Sequence, residues 1–127
     1  MAIFFQKGLI SEESKIYHHL RRLFDFMMDE GISAVEPSNR YCELIGQSNE
    51  IEILLSDRLK GDDLKLFRKF VDYQLEMALY ENFYYYIDGI YYADEVTALY
   101  PEINEIRNQR KHNAFSDYKM PDENSSS

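Results

Sequence analysis

Apolar residues recur every three or four positions along most of this chain, and that spacing is helical. The first such set is Ile16, Leu20, Leu23, Phe24, Met27 and Met28. Ser11 stands ahead of it as a cap, with Glu12 and Glu13 where carboxylates favour the positive end of the helix dipole. Gly31 follows as a stop, so the pattern predicts a first helix ending near Glu30. Pro37 discourages helix at Glu36, and Ser38 caps a second helix over about 39–60. Tyr41, Leu44, Ile45, Ile51, Leu54, Leu55 and Leu59 supply its expected buried face. Gly46 weakens its middle by about 1 kcal/mol relative to alanine, and Gly61 ends it.

Asp62 or Asp63 caps a third helix, and no proline interrupts the chain until Pro101. The stripe Phe67, Val71, Leu75, Leu79, Phe83, Tyr86, Ile90, Ala93, Thr97 keeps the helical step, so this helix is expected over about 63–99. Helix 2 and the first half of helix 3 then make an antiparallel hairpin. About 37 residues at about 1.5 Å each give roughly 55 Å, longer than a compact chain of this size is wide. Helix 3 must therefore kink near Asp88-Gly89 or project onto a partner. The expected fold is all-α: a small helical bundle with a helix 2/helix 3 antiparallel hairpin and one long third helix. Ile103 and Ile106 support a further helical turn or two. A single helical domain is expected over 1–113, and a disordered tail over 114–127, where Pro121 and Ser125-Ser126-Ser127 accompany few apolar anchors.

Charge changes the picture more than composition does. The chain has 127 residues and a formal net charge of −9. Residues 41–105 hold 14 acids and five bases, which is the whole excess. From Phe70 to Glu105 there are eight acids and no Lys or Arg, together with eight of the 11 tyrosines. Direct nucleic-acid binding is disfavoured, because phosphate contacts need cationic surface. The one cysteine, Cys42, excludes an intrachain disulfide and fits a reducing, cytoplasmic setting. Met1 to Lys7 is too short for a signal peptide, and no apolar run reaches membrane-spanning length.

Most site chemistries lack their residues. A carboxylate-bridged metal pair in a bundle needs Glu-x-x-His, yet Lys15, Ile16 and Gln109 stand three residues before His18, His19 and His112. Of His18 and His19, one is expected exposed and one half-packed. The five glycines are scattered and form no phosphate-cradling loop. Cys42 lacks an oriented base and is expected as a buried structural thiol. The reading is non-enzymatic, with no metal and no cofactor.

What remains is the acidic tyrosine segment. Glu81, Tyr85, Asp88, Tyr92 and Glu95, spaced four, three, four and three, lie along one helical line opposite the Phe83-Tyr86-Ile90-Ala93 stripe. Asp72 and Glu76 extend the acidic strip, and Tyr84 and Tyr91 add to its aromatic surface. Tyrosine offers large contact area with little entropy to lose, and carboxylates without compensating cations steer toward a basic partner. The segment is thus expected to bind a basic protein; alternatively, it is a homodimer seam.

The run Phe83-Tyr84-Tyr85-Tyr86-Ile87-Asp88-Gly89-Ile90-Tyr91-Tyr92-Ala93-Asp94-Glu95, preceded by the Leu44 to Leu79 hairpin, resembles small helical proteins of unknown function from Firmicutes and their phages. Tyr86, Gly89, Tyr91, Ala93 and Glu95 are the nearest positions to that group's aromatic-x-x-x-Gly-aromatic pattern, with Ile90 where an aromatic is expected. The resemblance implies a helical hairpin and a mobile-element origin, and it transfers no catalytic residue. Small acidic phage proteins are often inhibitors of host defence, CRISPR nucleases included. The implied partner is a basic, nucleic-acid-handling host protein, met in the bacterial cytoplasm.

Overall fold

The computed structural model describes residues 8–109 and 114–121. They form a small all-α bundle of five helices: α1 Lys15–Glu30, α2 Asn39–Arg58, α3 Gly61–Tyr91, α4 Ala93–Leu99 and α5 Glu102–Asn108. No described helix is long and apolar enough to cross a membrane.

Local chemistry explains most boundaries. Ser14, three residues past the expected cap, begins α1: its hydroxyl accepts from the Tyr17 N–H at 3.3 Å and donates to the Ser11 carbonyl at 2.7 Å. Gly31 ends α1 in the left-handed region, at φ 64°, and its N–H and that of Ile32 return to Met27 and Met28 carbonyls. Only glycine takes that conformation without cost. Ser38 caps α2 as expected, accepting from the Tyr41 N–H at 3.1 Å. Leu59 and Lys60 then make a two-residue connection into Gly61, at φ 55°.

The long third helix is interrupted, but not at its glycine. Gly89 stays helical, and the break falls at Tyr92, with φ −97° and ψ 8°. A lone glycine costs a helix about 1 kcal/mol and does not by itself end one. Across the break the Tyr92 N–H donates to the Asp88 carbonyl, and the Tyr92 carbonyl accepts from the Val96 N–H, both at 3.0 Å. Asp94 and Glu95 then occupy the first turn of α4, where the dipole favours them.

The chain divides into two compact units: residues 1–32 with 83–127, called here the core unit, and the inserted unit, residues 33–82. The core unit earns its name from Tyr17, Phe24, Phe83 and Ile87, with Ile10, Leu20 and Tyr86 packed against them. Phe83 is fully enclosed. The Tyr17 ring meets it edge-on at 5.1 Å, and Phe24 lies at 5.3 Å from Phe83 and 5.4 Å from Tyr86. Such aromatic pairs add about 0.5–1.5 kcal/mol each beyond the area they bury. The Arg21 guanidinium caps the cluster at 5.1 Å from the Phe83 ring and pairs with Asp25 at 3.2 Å.

Part of the expected tail belongs to this unit. Residues 114–117 form a turn, and the half-buried Tyr118 ring sits 5.1 Å from Phe26. Residues 122–127, with the terminal serines, lie outside the described residues, as does His112.

The inserted unit has no buried residue at all. The expected buried face of α2 is bare: Tyr41, Leu44, Ile45, Ile51, Leu54 and Leu55 are exposed, and Leu59 alone is half-buried. On α3, Phe67 and Val71 are half-buried while Leu75 and Leu79 are exposed. A helix buries an apolar stripe only against another element, and two helices bearing apolar residues around much of their circumference cannot enclose them all.

Candidate protein-binding surface

The last two turns of α3 belong to the core unit and are oriented by its core. Phe83 and Ile87 point inward, so residues about half a turn away point to solvent. Tyr85 is the most exposed, at 73%. Asp88 follows it on the same side, and Tyr84 and Tyr91, seven residues apart, share a line between that side and the core. Tyr91 and Tyr92 stack edge to face at 4.7 Å across the helix break. Glu95 is exposed in the first turn of α4.

The surface is therefore a set of tyrosine rings and hydroxyls interleaved with Asp88 and Glu95. Among the described residues the ion pairs are Arg21–Asp25 and Arg40–Glu43, and neither touches these carboxylates. The line through Glu81, Tyr85 and Asp88 holds along α3, and the break at Tyr92 interrupts it before Glu95.

Asp72 and Glu76 do not extend that line. Both lie in the inserted unit, and the five residues from Glu76 to Glu81 turn a helix by about 140° beyond one full circle. Glu81 is also in the inserted unit and is half-buried, whereas Asp72 and Glu76 are exposed. No family, characterised protein or solved structure matches this chain.

Inside the core unit, the Tyr86 ring is half-buried against Phe24. Burial, and to a lesser extent the neighbouring Tyr118, raise its pKa above the ordinary 10.0. His18 is exposed and His19 half-buried, and His19 Nε2 is enclosed without a hydrogen-bond partner among the described residues. Among the described residues, no three His, Cys, Asp or Glu side chains are placed to hold a metal ion. Cys42 is exposed rather than buried, because α2 carries no buried face on which a thiol could pack.

The residues that sequence reasoning passed over are Leu66, Phe70, Tyr73 and Met77, all exposed on α3. The stripe through Phe67 and Val71 was the one that continued into Phe83. Leu66, Phe70, Tyr73 and Met77 instead follow the alternating four-three step of a helix seam, and that step was the available signal.

Proposed function

We propose that this protein is a non-enzymatic binding module whose core unit presents Tyr84, Tyr85, Asp88, Tyr91, Tyr92 and Glu95 to a basic protein partner. The observation that carries this reading is the contrast across half a helix turn: Phe83 is fully enclosed while Tyr85 is 73% exposed. The helix is thus fixed by one face and turns Tyr85 on the other to solvent. Tyrosine is a costly residue to leave in water and an economical one to place at an interface, since it buries much area for two torsions. Asp88 and Glu95 are uncompensated in a stretch with no base from Phe70 to Glu105, so long-range attraction selects for positive partners.

Basic surfaces of that kind line the nucleic-acid grooves of nucleases. Together with the resemblance to phage proteins, this favours a nucleic-acid-handling defence protein of the bacterial host, such as a CRISPR nuclease, as the partner. Immobilised protein is expected to retain such a nuclease, with retention falling as salt rises. Asp88→Lys with Glu95→Lys should abolish retention, and Tyr85→Ala should weaken it. Retention that survives the double charge reversal contradicts this reading.

A further inference from the structure

The core unit builds one arginine site from its own residues. The Arg21 guanidinium lies 5.1 Å from the centre of the Phe83 ring, and its Nε donates to the Asp25 carboxylate at 3.2 Å. A ring face and a nearby carboxylate suit a guanidinium for separate reasons. Its flat, weakly hydrated face stacks on an aromatic ring, while its N–H groups stay in plane and reach acceptors at the ring's side.

The end of α3 repeats those two parts and leaves out the cation. Tyr91 and Tyr92 are 52% and 48% exposed, and their ring planes meet at 85°. In such an edge-to-face pair, the ring that offers its edge keeps both of its own faces clear of its neighbour. Asp88 precedes the pair and Glu95 follows it, each three residues from one ring and four from the other. That is the spacing of neighbours on a helix surface. The hydrogen bonds from Tyr92 N–H to the Asp88 carbonyl and from Val96 N–H to the Tyr92 carbonyl, both 3.0 Å, keep each carboxylate within a turn of the rings.

Both carboxylates are exposed, and the stretch from Phe70 to Glu105 offers them no Lys or Arg. We propose that Tyr91, Tyr92, Asp88 and Glu95 receive an arginine side chain of the partner, its guanidinium stacked on a tyrosine face and hydrogen-bonded to a flanking carboxylate. This rests on the binding reading above and names the group that the surface takes. Lysine satisfies the acids but not the rings, because its ammonium is a compact, strongly hydrated charge with no flat face to stack. The surface therefore selects an arginine-rich partner over a lysine-rich one of equal charge.

The test is calorimetric titration of the full chain at low salt with an oligoarginine and an oligolysine peptide of equal length. The arginine peptide is expected to bind roughly fivefold more tightly. Tyr91→Leu with Tyr92→Leu should erase that preference and leave the lysine affinity nearly unchanged. Helical circular dichroism should be kept in this variant, since neither ring belongs to the core. Tyr91→Phe with Tyr92→Phe retains the ring faces and should retain the preference, whereas Asp88→Asn with Glu95→Gln should weaken both peptides. Equal affinities in the wild type would overturn the arginine site while leaving charge-driven binding of a basic partner intact. A preference that survives the loss of both rings would do the same. Binding of neither peptide overturns the inference in every case, and the binding reading falls with it only when the nuclease is not retained either.

Discussion

Phe70 and Phe83 stand on the same helix, thirteen residues apart, yet the first is 60% exposed and the second is fully enclosed. Neither helix propensity nor residue type separates them. Around Phe83, α1 brings Tyr17 and Phe24 within about 5 Å of its ring; around Phe70, no residue of the inserted unit is buried. Apolar periodicity states that a helix has a face to cover, and the covering element decides whether that face becomes a core or an interface. In the core unit the cover is supplied from within the chain. In the inserted unit no residue is buried.

The sharpest way to break the comparison is to remove both rings. Phe83→Ala is expected to cost the core unit about 3–5 kcal/mol in urea unfolding, the range for truncating an enclosed phenylalanine. Phe70→Ala should stay within about 0.5 kcal/mol of wild type. Equal costs for the two substitutions would mean that Phe70 has a covering element within its own chain.

Capping gives a smaller effect that ought to be shared by the two units. Ser14→Ala and Ser38→Ala each remove a hydroxyl that accepts from a helix N–H, at about 1 kcal/mol apiece. Urea unfolding of the two variants, followed by circular dichroism, measures both. A loss confined to Ser14→Ala would show that α2 contributes nothing to the stability of the chain.

The smallest effect belongs to the core unit alone and appears only in alkali. Burial raises the pKa of Tyr86 in the folded chain, so the unfolded chain releases this proton first as pH rises. Stability from Tyr86 is therefore complete below pH about 10 and declines above it. Tyr86→Phe should flatten that decline in a series of thermal melts from pH 8 to 11, without changing the melt at pH 8 by more than a degree or two. An unchanged alkaline slope in the variant would assign the decline to other groups.

Much of the fold was legible in the sequence because its signals are local. Ser38, Gly31 and the three-four periodicity each act within a turn or two, and each produced the boundary that its chemistry requires. Ser14 displaced Ser11 as the first cap because two serines three residues apart compete, and the later hydroxyl reaches the Tyr17 N–H. The break at Tyr92 was less legible, since it follows from Asp94 and Glu95 starting a new helix rather than from Gly89 ending the old one. The candidate surface was legible in part. Tyr85 and Asp88 are turned outward as the spacing predicts, while Asp72 and Glu76 sit on another face because an interval of five residues does not keep register on a helix. The exposed thiol of Cys42 and the bare face of α2 were not legible at all. Periodicity marks a stripe that needs cover and carries no information on what supplies it.

The central claim is that α3 turns one face into the core unit and presents the other to a basic partner, and retention of a nuclease by the immobilised chain tests it most directly. Retention that falls as salt rises and is lost in Asp88→Lys with Glu95→Lys is the predicted result. Retention that survives the double charge reversal would contradict the account.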